Sequence, residues 1–427
     1  MLTLAAALSA AAGAQVLGPV SRTLGTVGGV VNDVASPVLD GTTTLLGNIR
    51  QRAAERISRL TSLVQRNRDT LELDDRGDPS VRGEVIGIDI SAASLQAAQK
   101  AGFALIGSDE IEGLDIRTVR LTVPQAMPLS RALKTIRKAA PGEWSANQLH
   151  FESGIIAPSL NRTSAKAGVQ MGNIRSASQA TSAYPTGPRP SPRYRIGMID
   201  GGVGQHPSLS GVIEQRGFAR GAPTSSAHGT AIASLIAGQG SFKGVLPGTP
   251  LLAADVYGND PTGGNALAIA RALGWMAARE VAVVTISLVG PPNPLLARTI
   301  AAARGRGMMI VAAVGNDGPA APPAYPASYP GVIAVTGVDG RNRALIEAGR
   351  ALHLDYAAPA ADMTGAKPED GTARLRGTSY AAPLVAARLA GQPRPSIALL
   401  DREAVDLGKR GPDKVFGRGL ICGNCRN

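Results

Sequence analysis

The chain has 427 residues, enough for two or three domains, and its 52 glycines and 30 prolines suit an α/β domain with many tight loops. The formal net charge of +12 favours anionic surroundings. Only 3% of the residues are aromatic, and they do not interleave with basic ones, which argues against a base-stacking nucleic-acid site. We therefore expect no nucleic-acid partner, and expect the charge to serve solubility and weak attraction to surfaces.

The first 20 residues resemble an export signal. Residues 2–20 carry no charge and are rich in Ala and Leu, and Ala12-Gly13-Ala14 is typical of a small-residue cleavage site. The positively charged start of such signals is missing, so a plain Ala-rich helix is the alternative. Elsewhere the sequence has no stretch long and apolar enough to span a bilayer.

Residues 21–82 form a low-complexity segment that contains one basic helix. Residues 21–43 consist mainly of Gly, Val, Thr and Ser, which predicts a linker. From Leu45 to Val64 apolar residues recur at helical spacing with arginines between them, which predicts an amphipathic helix. Such a helix either lies on a membrane or buries one face in the protein, and we favour the second. Residues 66–82 are charged and rich in turn formers, which predicts a loop.

Residues 83–152 predict a small α+β domain. We expect strands at 84–90, 103–106, 116–123 and 148–151, with helices at 91–101 and 130–139. This βαββαβ order is that of the ferredoxin-like split fold. Residues 153–193 are rich in Ser, Ala, Gly, Pro and Arg, which predicts a flexible linker that is open to proteolytic nicking.

Residues 194–421 alternate between strand and helix patterns. Strands are expected at 195–199, 251–256, 281–287, 308–313 and 332–338, and helices at 229–237, 265–279, 295–304 and 379–390. Nearly continuous apolar strands separated by helices indicate an α/β fold, a mostly parallel sheet with helices on both faces. Residues 422–427 form a tail whose Cys422 and Cys425 predict either a small disulfide or two idle thiols, since two thiolates cannot complete a structural zinc site.

Three short motifs in this domain carry side chains suited to acyl transfer. Asp200 follows an apolar run in Ile-Asp-Gly-Gly, His228 begins a helix pattern in His-Gly-Thr, and Ser379 stands in Gly-Thr-Ser-Tyr-Ala-Ala-Pro. A serine nucleophile needs a base that takes its proton, and the base needs a carboxylate that fixes its tautomer. Asp, His and Ser in this order and in these surroundings resemble the subtilisin-like serine peptidases, the subtilase family.

The resemblance implies a subtilisin-like fold and a triad of Asp200, His228 and Ser379. It also implies that Asn316, which follows a strand in Gly-Asn-Asp-Gly, donates to the oxyanion, and that an extended substrate pairs with the strand near residue 288. The family usually has Gly at the place of Val289, so we expect a narrowed pocket that prefers Ala, Val or Leu to Phe. The expected substrate-binding residues are Ser287, Leu288, Val289, Gly290 and Gly315.

The resemblance also bears on the N-terminal half, on location and on metals. A βαββαβ unit just before the catalytic domain resembles an inhibitory, fold-assisting propeptide, with an unrelated α+β accessory domain as the alternative. The resemblance also implies export, to the periplasm or outside the cell. Ser208 stands where many members carry an Asp that helps to hold calcium, so we expect no tight calcium site there. No cofactor is expected.

The leading hypothesis is an exported serine endopeptidase made as a zymogen, which hydrolyses polypeptides through an acyl-enzyme. One alternative is a catalytically quiet subtilase fold that serves as a binding or scaffold module. Another is a dedicated maturation protease for one partner, anchored by residues 1–64. The complete triad motifs and Asn316 favour the first hypothesis.

Overall fold

The structure is a computed structural model that describes residues 42–152 and 196–426, with side-chain detail from residue 51 onward except at residue 53. The predictions for the export signal at 1–20, for residues 21–41 and for the linker at 153–193 lie outside the described residues. Among the residues described, none of the helices combines the length and the apolar character needed to cross a bilayer.

The chain as described begins with one long helix, α1, at Thr42–Arg66, which contains the predicted span of 45–64. The loop predicted for 66–82 is wrong, because a short strand at Leu71–Leu73 (β1) pairs antiparallel with the start of β2 at Pro79–Ile88. The Asp74 carboxylate accepts hydrogen bonds from the N–H groups of residues 76 and 78 and closes this hairpin. The charged, turn-forming residues between β1 and β2 therefore form the hairpin turn.

The small domain has the predicted βαββαβ order. After β2 it continues through α2 (Ala92–Lys100), β3 (Ala104–Ile111), β4 (Ile116–Thr122), α3 (Leu129–Ala139) and β5 (Glu143–Gln148). The strands form one antiparallel sheet in the order β5-β2-β4-β3, with β1 on the free end of β2. Its core lies between the sheet and the two helices, and includes Val85, Phe103, Leu121, Leu133, Ile136 and Trp144.

The last strand of this domain does not lie at 148–151, as expected, but at Glu143–Gln148. Its polar residues are buried because one face of β5 lies against the large domain. The Asn147 side chain accepts a hydrogen bond from the N–H of Leu267, and the Asn293 amide donates to Gln148. A strand buried on both faces, with polar partners on one of them, lacks the alternating pattern that identifies a half-buried strand.

The large domain contains the predicted parallel sheet, and its seven strands follow the order β16-β15-β14-β12-β7-β11-β9. Two edge strands escaped prediction: β9 (Ile213–Gly217) is mostly polar, and β16 (Tyr356–Pro359) is short. The central strands are β7 (Ile196–Asp200), β11 (Leu251–Asp255), β12 (Val283–Ile286), β14 (Met309–Ala313) and β15 (Ile333–Val338).

Helices cover both faces of this sheet. The helices α4 (Ala227–Ala237) and α7 (Ala381–Ala390) share one hydrophobic core, and α5 (Ala266–Ala278) and α6 (Pro294–Gly305) share the other. Apolar side chains of the small domain join this second core, so the two domains are packed through a common apolar layer. The small-domain members of that layer are Ile86, Ile88, Ile111, Leu114 and Ile116.

The remaining elements are short. They are β6 (Phe151–Glu152), β8 (Gly202–Val203), β10 (Ser225–Ser226), β13 (Leu288–Val289), the hairpin β17–β18 (Met363–Lys367 and Gly371–Leu375) and α8 (Ile397–Glu403). Of the two expectations for the C-terminal cysteines, the structure has the disulfide, between Cys422 and Cys425. Cys422 is buried in the large-domain core, and Cys425 packs against that core.

The buried face of helix α3 should contribute strongly to the stability of the small domain. Ile136 is fully buried, and Ile136→Ala should lower the free energy of opening of this domain by about 2–5 kcal/mol, since it leaves a cavity. Hydrogen exchange of the α3 amides in the full chain measures the change. Leu105, which is 45% exposed, provides the control, and Leu105→Ala should change the same free energy by less than about 0.5 kcal/mol. Equal effects of the two variants would contradict the described core.

Candidate active site

Asp200 and His228 meet at the carboxyl end of the central strand β7. Asp200 is the last residue of β7, and its Oδ1 lies 2.8 Å from Nδ1 of His228. Ser226 caps helix α4 by accepting the N–H of His228, which sets the position of the imidazole. Only glycine fits at position 229, because a Cβ there would lie 2.2 Å from the carbonyl oxygen of Gly201. The structure thus brings together two of the three expected catalytic residues.

The electrostatics of His228 are those of a charged imidazole. Burial alone would lower its pKa, but the carboxylates of Asp200 and then Glu152, with the hydrogen bond to Asp200, outweigh burial and raise the pKa to about 9. Asp200 contributes more to this rise than Glu152, as expected of a carboxylate that stabilises an imidazolium.

Ser379 lies in a 3₁₀ turn, Thr378–Tyr380, directly before helix α7. Its side chain is fully buried, and its Oγ has no hydrogen-bond partner among the described residues; the same holds for Nε2 of His228. The ring of Tyr380 lies 5.3 Å from the His228 ring, centroid to centroid, so the serine turn packs against the histidine helix. The Ser287 hydroxyl holds the turn by donating to the Ser379 carbonyl at 2.9 Å.

Asn316 follows strand β14 and faces the serine turn. Its Oδ1 accepts the N–H of Thr378 at 2.9 Å, and the Thr378 hydroxyl donates to the Gly315 carbonyl. This leaves the Asn316 Nδ2 donor buried without a partner within the described part of the chain. A Cβ at Gly377 would lie 2.9 Å from that nitrogen. An amide donor without a partner therefore lies close to Gly377, two residues before Ser379 in the chain.

The substrate strand expected at 287–290 already has a partner from the small domain. Residues Leu149–Glu152, which we call the cleft segment, lie beside β13, with Leu288 opposite Glu152 and Val289 opposite Phe151 in antiparallel register. On the other side the N–H of His150 donates to the Gly264 carbonyl at 2.8 Å. The cleft segment is thus a central strand between two edges of the large domain, the arrangement of an extended peptide that adds a strand.

His150 fills a closed part of this cleft. Its side chain is fully buried, and a Cβ at Gly290 would lie 2.5 Å from the imidazole Cδ2. Burial lowers the pKa of His150 to about 4, so its ring is neutral. Gly290, expected to bind substrate, also exchanges two backbone hydrogen bonds with Tyr325, and the Tyr325–Pro326 peptide is cis.

Glu152 is the site residue that sequence reasoning missed. Its Oε1 lies 3.4 Å from the Ser226 hydroxyl, and burial raises its pKa to about 7. Glu152, Asp200 and His228 each offer a potential ligand atom within 4.8 Å of the others, but Asp200 and His228 already hold each other by a hydrogen bond, so we assign no metal to them. A single Glu at the end of a small domain has no local pattern that marks it as functional.

The geometry around Val289 bears on the expected narrow pocket. A Cβ at Gly315 would lie 3.3 Å from Cγ1 of Val289, so the two expected pocket residues are in contact range. Ser208, at the place of the missing calcium ligand, is buried, and its Oγ is 2.7 Å from Nδ1 of His206. The expectation that no calcium binds there stays a prediction.

Comparison with known proteins places the chain in one family. Residues 193–396 match the model of the subtilase family, peptidase S8. Subtilisin BL of Lederbergia lenta is 32% identical over 242 residues, which cover 53% of this chain and 88% of that protein. The minor extracellular protease Epr of Bacillus subtilis is 28% identical over 241 residues, or 53% of this chain and 37% of that protein.

Among solved structures, fervidolysin from Fervidobacterium pennivorans, described as a keratinolytic enzyme related to subtilisin, aligns with a TM-score of 0.63. That likeness covers 83% of this chain and 62% of fervidolysin at 19% identity, and it shows the fold alone. The chain belongs to the subtilase family and has its fold. Its class is that of the serine peptidases.

Val289 provides a prediction on substrate choice. Val289→Gly removes the methyl groups that approach Gly315, so it should raise kcat/KM for substrates with Phe before the scissile bond, relative to Ala, by about 10-fold or more. Paired fluorogenic peptides measure the ratio. Val289→Ala serves as the graded control and should give an intermediate ratio. An unchanged ratio in both variants would show that residue 289 does not limit the pocket.

Proposed function

We propose that this protein is a serine endopeptidase made as a zymogen, with Asp200, His228 and Ser379 as its triad. The observation that carries the proposal is the cleft segment, which lies as an extended strand on β13 with Glu152 against His228. A chain that docks its own peptide in this orientation has a cleft built to hold peptides. The proposed substrates are polypeptides.

The proposed chemistry gives each residue of the triad the role that its side chain can fill. Ser379 Oγ attacks the substrate carbonyl carbon while Nε2 of neutral His228 takes the hydroxyl proton, and Asp200 stabilises the imidazolium through Nδ1. The carbonyl oxygen becomes an oxyanion held by Nδ2 of Asn316 and the N–H of Ser379. The imidazolium returns the proton to the leaving amine, and a water molecule then hydrolyses the acyl-enzyme by the same steps.

The proposed domain roles follow from what each part contacts. Residues 83–152 would be an inhibitory propeptide-like domain, 194–421 the catalytic domain, and 153–193 the linker where processing separates them. The apolar layer shared by the small-domain strands and the helices α5 and α6 supports tight docking. Ion pairs at its rim add specificity rather than much energy, because they are half-exposed. They join Arg216 to Glu112, Arg271 to Asp109, Arg298 to Asp89 and Glu143, and Arg306 to Asp115.

Helix α1 supports a wider inhibitory assembly. Arg56 and Arg59 both contact the carboxylate of Asp317, at 3.1 and 2.6 Å, and Asp317 directly follows Asn316. The helix therefore uses two of its arginines on the loop that carries the proposed oxyanion donor. We propose that residues 42–66 belong to this assembly rather than to a membrane anchor. We also propose that the protein acts outside the cytoplasm, in the periplasm or secreted.

The alternative is a catalytically quiet subtilase fold. The docked cleft segment favours this alternative if the segment stays bound in the cleft permanently. A fluorophosphonate probe separates the two functions, because it labels only an activated serine. The full chain should acquire the label after self-cleavage, Ser379→Ala should acquire none and stay uncut, and exposed Ser210→Ala should behave like the unchanged protein. If the protein without substitutions is never labelled, even after its N-terminal part is removed, the peptidase function is rejected.

Asn316 gives a quantitative prediction. Asn316→Ala should lower kcat by about 100–1,000-fold, a magnitude that comes from this family itself, with little change in KM because the donor acts on the transition state. Steady-state kinetics on a peptide substrate measure both constants. Asp317→Asn, one residue away, is the matched control and should leave kcat of the processed enzyme within a few-fold. A change in KM with kcat unaltered would contradict the assignment of Asn316 to the oxyanion site.

A further inference from the structure

Gln148 lies where the chain passes from the small domain into the cleft of the large one. Up to Gln148 the strand β5 pairs with β2 inside the small domain, and from Leu149 onward the cleft segment forms bridges to the large domain. Gln148 is 3% exposed, and its side-chain partners Asp74 and Asn293 are 5% and 1% exposed. Polar side chains that are buried to this extent need hydrogen-bond partners in the protein.

These three side chains form one series of hydrogen bonds whose direction is fixed at both ends. At one end the Asp74 carboxylate accepts the Gln148 Nε2 donor at 2.7 Å, on an oxygen that the hairpin turn does not use. At the other end Asn293 Oδ1 caps helix α6 by accepting the N–H of Leu296, so Asn293 Nδ2 faces Gln148 and donates to its Oε1 at 2.7 Å. Only one orientation of the Gln148 amide satisfies both neighbours.

The backbone pairing on either side of Gln148 is a weak constraint on register. Before Gln148 the pairing is irregular, since residues 81–84 of β2 lie opposite residue 147 of β5 alone. A bulge of this kind interrupts the ladder of backbone hydrogen bonds. After Gln148, two residues of the cleft segment pair with β13. A slip by one residue would turn each side chain of this short strand to the opposite face, so a side chain held by both domains can decide the register.

We propose that Gln148 is a positioning residue that fixes the register of the cleft segment on β13. Its hydrogen bonds to Asp74 and Asn293 hold the start of the segment so that Phe151 lies opposite Val289. The proposal rests on the proposed function, because in a self-processing zymogen the register decides which peptide bond is presented to the catalytic serine. Without the Gln148 amide the segment shifts along β13, and the chain is cut at more than one bond.

Cross-linking rates in the full chain measure the register without peptidase activity. In the Ser379→Ala background, Phe151→Cys with Val289→Cys reports the described register, in which these two residues are directly opposed. Phe151→Cys with Leu288→Cys reports a slip by one residue, because in the described register these side chains point to opposite faces. Under mild oxidation the first pair should link at least about tenfold faster than the second, since a disulfide needs Cβ atoms that face each other.

The decisive variant is Gln148→Met, which keeps the length of the side chain and removes its amide. It should lower the ratio of the two rates by about fivefold or more, because the described register then leaves an Asp74 oxygen buried without its donor. Asp74→Asn should lower the ratio too, because an amide has one acceptor oxygen where Asp74 uses two. Ile136→Ala, which loosens the core of the small domain, is the control and should leave the ratio unchanged.

N-terminal sequencing of the processed, active protein gives a second readout. The protein without substitutions should be cut at one bond, and Gln148→Met at more than one. An unchanged cross-linking ratio in Gln148→Met, or an equal fall in Ile136→Ala, overturns the proposal. A single, identical cut in both active proteins would reject the positioning role alone. The expected cross-linking ratios in a chain that never cuts itself would reject the proposed function alone.

Discussion

The hydrogen bond between Asp200 and His228 is the interaction on which the rest of the site depends. Both side chains are almost completely buried, and a buried charge is costly unless it is paired. The pair forms because strand β7 and helix α4 approach so closely that only glycine fits at position 229. Two other groups of the site act on this pair: Ser226 accepts the N–H of His228, and Glu152 adds a second carboxyl beside the imidazole.

In the proposed zymogen, one short segment covers the site by pairing with the edge of strand β13. Strand β13 presents its backbone groups to the cleft, and an edge of this kind can pair with an extended chain. Residues Leu149–Glu152 satisfy this edge, His150 occupies the space left by Gly290, and Glu152 reaches the imidazole. The apolar layer under α5 and α6 holds the small domain in place. Backbone pairing, packing and charge thus converge on one four-residue segment.

Local patterns were sufficient to predict the central strands and the βαββαβ order, and the motifs around Asp200, His228 and Ser379 carried the resemblance to the family. Each of these depends on residues that are neighbours in the chain, such as the apolar run before Asp200 or the turn and small residues around Ser379. The errors occurred where the environment comes from elsewhere in the molecule. Strand β5 is polar because it is buried between two domains, and β9 is polar because it lies at a sheet edge.

Glu152 shows that sequence patterns also fail to identify a single functional residue when its partners are distant in the chain. Its partners Asp200, Ser226 and His228 lie far away in the chain, so no spacing rule connects them. The antiparallel register of Phe151 opposite Val289, which brings Glu152 to the site, likewise depends on how the two domains dock. The contact becomes visible only in the folded structure.

A disulfide trap would test most directly whether the cleft segment restrains a competent peptidase. Phe151→Cys with Val289→Cys puts two thiols on directly opposed residues of an antiparallel pair, whose Cβ atoms are typically about 5 Å apart. The measurement is the rate of peptide hydrolysis by this full-length variant before and after mild reduction, with Phe151→Cys and Leu288→Cys as the mismatched pair. The account predicts almost no hydrolysis when oxidised and a rate restored by reductant only in the matched pair. Full activity of the cross-linked protein would contradict it.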